Sequence, residues 1–189
     1  MNNSILWYAT RGAGVVSLLL LTAVVVMGIL AVMRFQIAGW PRFLSGALHR
    51  NLALLSLVFL AVHIVTAVVD PFTALGWNAV LIPFLSSYRR LWLGLGLLSF
   101  DLMLAIVATS LLRRFIGPQT WRLVHWLTYA AWPLAVLHGI GTGSDTRFNW
   151  MLALDAACVA SVSLAIAFRT QSRFRKATSR MLLAEVINQ

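Results

Sequence analysis

Five stretches of this chain are each long and apolar enough to cross a lipid bilayer, and no other feature narrows its fold so far. Roughly 20 mostly apolar residues are needed to cross about 30 Å of hydrocarbon. The stretches run from Ala13 to Met33, Leu48 to Val69, Leu91 to Leu112, Trp121 to Ile140 and Trp150 to Phe168. Lipid offers no partner for a peptide group, so each stretch must satisfy its backbone internally, which predicts helices. The expected fold is an all-α membrane protein, a bundle of five transmembrane helices in a single domain over residues 1–189. Between the second and third stretches, Asp70 to Arg90 is broken by Pro71 and Pro83 and reads as a surface segment. The first stretch exceeds the apolar length of a signal peptide and no small-x-small cleavage site follows it, so it is expected to stay as a helix.

Composition removes the competing classes. Hydrophobic residues make up 60% of the chain and charged residues 11%, against about 45–50% and about 25% in soluble domains. A soluble enzyme, a disordered tail and a disulfide-stapled secreted domain are excluded. The net charge of +10 would suggest nucleic acid on a soluble chain. Here the basic residues sit between apolar stretches, as in cytoplasmic membrane loops, and no nucleic-acid partner is expected. Alternate sides carry four and eleven Lys and Arg. The positive-inside rule puts the richer side in the cytoplasm of a plasma (cell inner) membrane, with the N-terminus outside. The tail 169–189 reads as a basic cytoplasmic anchor on anionic membrane lipid. The lone Cys158 reads as core packing.

All four histidines fall inside these stretches. His49 and His63 lie on the second, 14 residues apart, and His125 and His138 on the fourth, 13 apart. Ionisable side chains in a membrane are costly and usually functional. At 1.5 Å per residue the members of each pair stand about 20 Å apart along the helix. A 14-residue step ends about 40° short of four turns, so His49 and His63 share a face. A 13-residue step ends about 140° short, which requires a distortion between His125 and His138, where Pro133 lies. Both helices start from the cytoplasmic side. His49 is therefore expected to face His125 near the inside, and His63 to face His138 near the outside. Two crosswise imidazole pairs suit two six-coordinate haem irons, whereas zinc would need three or four ligands at one depth.

This arrangement resembles the ferric reductase-like transmembrane domain, a family that includes NADPH oxidases, ferric reductases and the haem subunit of a periplasmic methionine sulfoxide reductase. The resemblance covers residues 13–168 and implies two stacked b-type haems enclosed by the bundle. It assigns His49 and His125 to an inner haem and His63 and His138 to an outer one. The chain is expected to lack the flavin and NADPH domains of the larger members. It would then act as a stand-alone haem subunit carrying electrons outward, with flavin on a partner. The implied donor is a cytoplasmic flavoprotein or a quinol; the acceptor is an extracytoplasmic redox protein or a small acceptor.

Other residues carry weaker expectations. Arg50 and Arg122 stand beside the inner histidines, where they could meet haem propionates or snorkel to the interface. Arg34 and Arg42 face the same choice. Arg89, Arg90 and Arg147 could hold an outer propionate or an anionic acceptor. Gly12/Gly14 and Gly94/Gly96 read as close helix packing, and Gly139, Gly141 and Gly143 as an approach to the outer haem or as loop. Trp132 is a candidate for the space between the haems. Asp101, mid-way along the third helix, suggests a proton path or pairing with Ser56 or Thr66, while Asp155 reads as reaching the outer surface. Two alternatives stand beside the electron carrier. One is a quinol-linked cytochrome b, and the other a non-redox channel or scaffold with structural histidines.

Overall fold

The computed structural model describes residues 3–33, 41–71, 75–143 and 149–187. Arg34 and Arg147 lie outside the described residues, as do the side chains of Arg42, Arg173, Arg175, Lys176 and Arg180. Among these residues eight helices follow in order: α1 (Asn3–Val32), α2 (Arg42–Val69), α3 (Asn78–Leu81), α4 (Arg90–Leu111), α5 (Arg113–Ile116), α6 (Pro118–His125), α7 (Thr128–Thr142) and α8 (Asn149–Ile187). Among the described residues there is no strand. Four helices, α1, α2, α4 and α8, are long and apolar enough to cross a membrane. The chain is a multi-pass membrane protein.

Several boundaries differ from the apolar pattern. Helix α1 begins ten residues before Ala13, and α2 six before Leu48. Helix α8 does not stop at Phe168 but continues to Ile187. Residues 169–187 hold no Gly or Pro to end it, and Arg, Gln, Lys, Ala and Leu favour helix. Hydropathy finds the part of a helix that suits lipid, and a helix can outrun it at either end.

The fourth stretch is not one helix. It is split into α6 and α7 by a turn at Trp126–Leu127. Across this turn, amides reach back three residues: Leu127 N to Val124 O at 3.0 Å, Tyr129 N to Trp126 O at 3.1 Å and Ala130 N to Leu127 O at 2.9 Å. Pro133 sits inside an unbroken α7, so the distortion lies upstream of the proline and not at it. Proline has no N–H for the Tyr129 carbonyl and its ring crowds that carbonyl, which displaces the preceding turn. Winding at about 120° per residue in place of about 100° adds roughly 20° per residue. The tightened turn therefore makes up part of the 140° shortfall between His125 and His138.

The helices pack as two pairs. Helix α1 lies along α2, and α4 along α7, with α6 against α4. Contacts of α1 with α7 and α8 join the pairs. The buried core there comprises Leu18, Leu21, Val25 and Ile29 of α1, Met103 and Ile106 of α4, Ala131, Trp132 and Val136 of α7, and Cys158, Val162 and Ala165 of α8. Cys158 is thus a core residue, as expected. Helix α2 gives no fully buried hydrophobic side chain to this core. It is held to α1 through small residues: Ser17 Oγ donates to the Ser56 carbonyl at 3.0 Å, and Ser56 is 1% exposed. Helices α2 and α7 stand apart, with little close approach of their backbones.

Candidate functional site

The four histidines meet between α2 and the α6–α7 segment in the pairs that their depths require. The rings of His49 and His125 have centroids 6.3 Å apart at 55°, and those of His63 and His138 are 6.1 Å apart at 85°. An imidazole built from bonds of about 1.33 Å has its nitrogen about 1.1 Å from the ring centre. With metal–nitrogen bonds of about 2 Å, two imidazoles on opposite sides of one ion stand about 6.2 Å apart. Both pairs have that spacing. Among the described residues no three His, Cys, Asp or Glu side chains converge as a metal group. Each level therefore brings two imidazoles to the spacing of one ion, with no third such side chain beside them among the described residues.

The His63–His138 pair is held in one tautomer. His63 Nδ1 lies 2.7 Å from the Thr10 carbonyl, and His138 Nδ1 lies 2.9 Å from the Trp92 carbonyl. A carbonyl can only accept, so each Nδ1 carries the proton and Nε2 keeps its lone pair for a metal. The Thr10 hydroxyl also donates to Thr66 Oγ1 at 2.8 Å, tying α1 to α2 beside His63. At the inner level, His49 turns toward the Val24 carbonyl but closes no hydrogen bond of good geometry. His125 Nδ1 is buried without a hydrogen-bond partner.

Glycines seat the rings. A Cβ on Gly14 would stand 2.9 Å from His63 Nδ1, and one on Gly96 would overlap the His138 ring. One on Gly28 would touch His49 Cε1 at 3.5 Å. Gly14 and Gly96 thus serve the close approach of an imidazole and not of a bare helix. Gly28 escapes a reading based on glycine pairs, yet it follows Gly14 by 14 residues, the step between His49 and His63. The same step relates Thr10 to Val24. That match of spacings on two neighbouring helices is the signal that could have found it.

The remaining candidates divide. Arg50 and Arg122 are exposed beside the inner pair, and Arg122 lines a shallow hollow with Gln119, Leu123 and Trp126. Arg89 and Arg90 have structural partners: Arg89 donates to the Gly141 carbonyl and Arg90 Nε to the Phe84 carbonyl, tying the α3–α4 loop to the end of α7. Gly141 faces the Trp92 ring, and nothing lies near Gly139. Trp132 is buried between the two levels, where its Nε1 donates to Thr22 Oγ1 at 3.0 Å. Asp101 is exposed on α4 and does not pair with Ser56 or Thr66. Those hydroxyls bond the Ala53 carbonyl and the Val62 and His63 carbonyls of their own helix. Asp155 does not reach the surface. It is 4% exposed, and neither carboxyl oxygen has a hydrogen-bond partner. Its step of seven from Val162 puts it on the core-facing side of α8.

The structure is thus a multi-pass helical bundle in which imidazoles pair across helices at two depths. Residues 13–136 match the family described as ferric reductase like transmembrane component. The chain belongs to that family. The match takes in His49, His63, His125, Gly14, Gly28 and Gly96, and stops two residues before His138. The chain has no significant match among curated proteins or among solved structures.

Proposed function

We propose that the chain is the haem-bearing subunit of a transmembrane electron-transfer system. His49 and His125 hold an inner b-type haem, and His63 and His138 hold an outer one. The observation that carries this reading is the ring spacing of 6.3 and 6.1 Å at two levels, which fits an ion between each pair. The separation of α2 from α6 and α7 supports it, because each imidazole pair bridges elements whose backbones make little close approach. When bound, haem supplies a reversible one-electron carrier at each level.

The chain's own groups orient and shield. Carbonyls of Thr10 and Trp92 keep the outer rings aimed, and Gly14 and Gly96 leave room for those two rings. Trp132 and Thr22 exclude water between the levels. Arg50 and Arg122 pair with propionates at the inner face. In this reading α6 and α7 together make a fifth crossing, with the N-terminus outside and the basic end of α8 in the cytoplasm against anionic lipid. A cytoplasmic flavoprotein or a quinol donates, flavin residing on the partner, and an extracytoplasmic redox protein or small acceptor receives.

The test is the reduced-minus-oxidised visible spectrum of the purified protein with a pyridine haemochrome count. Two haems b per chain are expected, with one lost in His63→Ala or His138→Ala. A colourless protein after expression with ample haem would overturn the reading and leave the channel or scaffold in its place.

A further inference from the structure

The inner imidazoles are held differently from the outer ones. Each outer Nδ1 lies on a main-chain carbonyl, whereas His49 Nδ1 and His125 Nδ1 are both buried without a hydrogen-bond partner. His125 is the last residue of α6, a helix of 8 residues that starts at Pro118 and ends at the turn Trp126–Leu127. So short a helix is marginal by itself, and contacts with its neighbours set where its side chains point. Trp121 stands four residues before His125 on the same face. The two rings are stacked, with centroids 5.0 Å apart and planes at 29°, within the range of offset-stacked aromatic pairs. The indole is fixed in turn from two other elements. Its Nε1 donates to Ser110 Oγ of α4 at 3.2 Å, and Ser110 Oγ donates on to the Ile106 carbonyl at 2.7 Å. The Arg113 guanidinium of α5 lies 4.4 Å from the indole centroid, a cation–π distance. Exposed Arg113, half-buried Trp121 and His125 thus form one chain of contacts from the surface to the inner pair.

We propose that Trp121 is a positioning residue of the inner site: its face sets the plane of the His125 ring, and Arg113 and Ser110 set the plane of Trp121. This rests on the haem reading above. The orientation of a ligating imidazole is ordinarily set by a hydrogen bond to its other nitrogen; at His125 a stacked indole takes that part. The plane matters because the π orbitals of an axial imidazole lie perpendicular to its ring. The angle between two axial rings therefore sets the energies of the iron d orbitals that they overlap. The ring planes stand at 55° in the inner pair and 85° in the outer pair. A contact that turns His125 changes the first angle and leaves the second alone.

The experiment is low-temperature electron paramagnetic resonance of the oxidised, haem-loaded full chain, in which each low-spin iron gives a signal whose position follows its axial-ring angle. His63→Ala, which loses the outer haem, identifies the inner signal. Trp121→Leu removes the stack, and the inner signal should shift and broaden while the outer one stays in place. Trp121→Phe keeps a ring against His125 and should hold the inner signal close to the parent's. Arg113→Gln loosens the indole without removing it and should broaden the inner signal alone; this variant decides if Trp121→Leu loses the inner haem. An inner signal unmoved in Trp121→Leu, equal shifts in the Phe and Leu variants, or an outer signal that moves with the inner one would overturn the proposal and leave the haem reading intact. So would an unaltered inner signal in Arg113→Gln. A protein without haem would overturn both.

Discussion

Alanine substitution of four helical glycines should separate ring seats from spectators. In an exposed helix, Gly→Ala stabilises by about 1 kcal/mol through propensity alone. Gly12 has nothing within 4 Å of an added Cβ, so Gly12→Ala should realise that gain. At Gly96 the new methyl displaces the His138 ring. The 2.9 Å bond from Nδ1 to the Trp92 carbonyl is lost at a net cost of about 1 kcal/mol, and a buried ring donor is stranded for about 1–3 kcal/mol more. After the helix gain, Gly96→Ala should be about 2 kcal/mol less stable than the parent, and about 3 kcal/mol below Gly12→Ala. At about 2–4 °C per kcal/mol for a chain of this size, the two variants should melt about 6–12 °C apart. Gly28→Ala, whose methyl makes ordinary contact at 3.5 Å, should behave like Gly12→Ala, and Gly14→Ala should fall between. The assay is thermal unfolding of the purified protein in detergent, read by tryptophan fluorescence. If Gly96→Ala melts with Gly12→Ala, the ring does not sit where the structure has it, and the seat argument fails.

Three further outcomes are expected. Trp132→Phe removes the donation to Thr22 but keeps most of the ring, so it should cost about 1 kcal/mol, whereas Trp132→Ala should cost about 3–5 kcal/mol; equal losses in a chemical-denaturation series would contradict this. Asp155→Leu replaces a buried carboxyl without a hydrogen-bond partner and should raise stability by about 1–3 kcal/mol, a gain that a melting curve reports; a fall would mean that the carboxyl is satisfied in the membrane. Cys158, 3% exposed in the core, should resist a membrane-permeant maleimide in the folded protein and react fully in dodecyl sulfate, as mass spectrometry would show.

Much of the arrangement is visible in the chain before any coordinates. The depths of the histidines follow from counting along apolar stretches, and the pairing follows from the direction of the helices. Position 133 announces a distortion but not its location, because proline acts on the turn before it and the winding tightens where packing allows. The ring seats are harder to read. Gly14 and Gly96 look like helix–helix contacts, since sequence does not tell what approaches a notch. The carbonyls of Thr10 and Trp92 are invisible, because every residue carries one and only packing selects which is used. Asp155 looks like a near-surface residue because depth along a helix is legible while its facing direction is not. Asp101 has the opposite problem: it lies deep along α4 but on the outer face.

The pairing of α1 with α2 and of α4 with α7 has a consequence for how the protein is made. Each pair is a hairpin of consecutive segments, and each brings two imidazoles: His49 and His63 from the first, His125 and His138 from the second. Helices that insert independently can associate afterwards in the bilayer, so the first hairpin can be threaded before the second has left the ribosome. The site is then a seam closed late in biogenesis, with the properties of a subunit interface inside one polypeptide. Two separately expressed halves, divided between α2 and α4, should be able to find each other and close it.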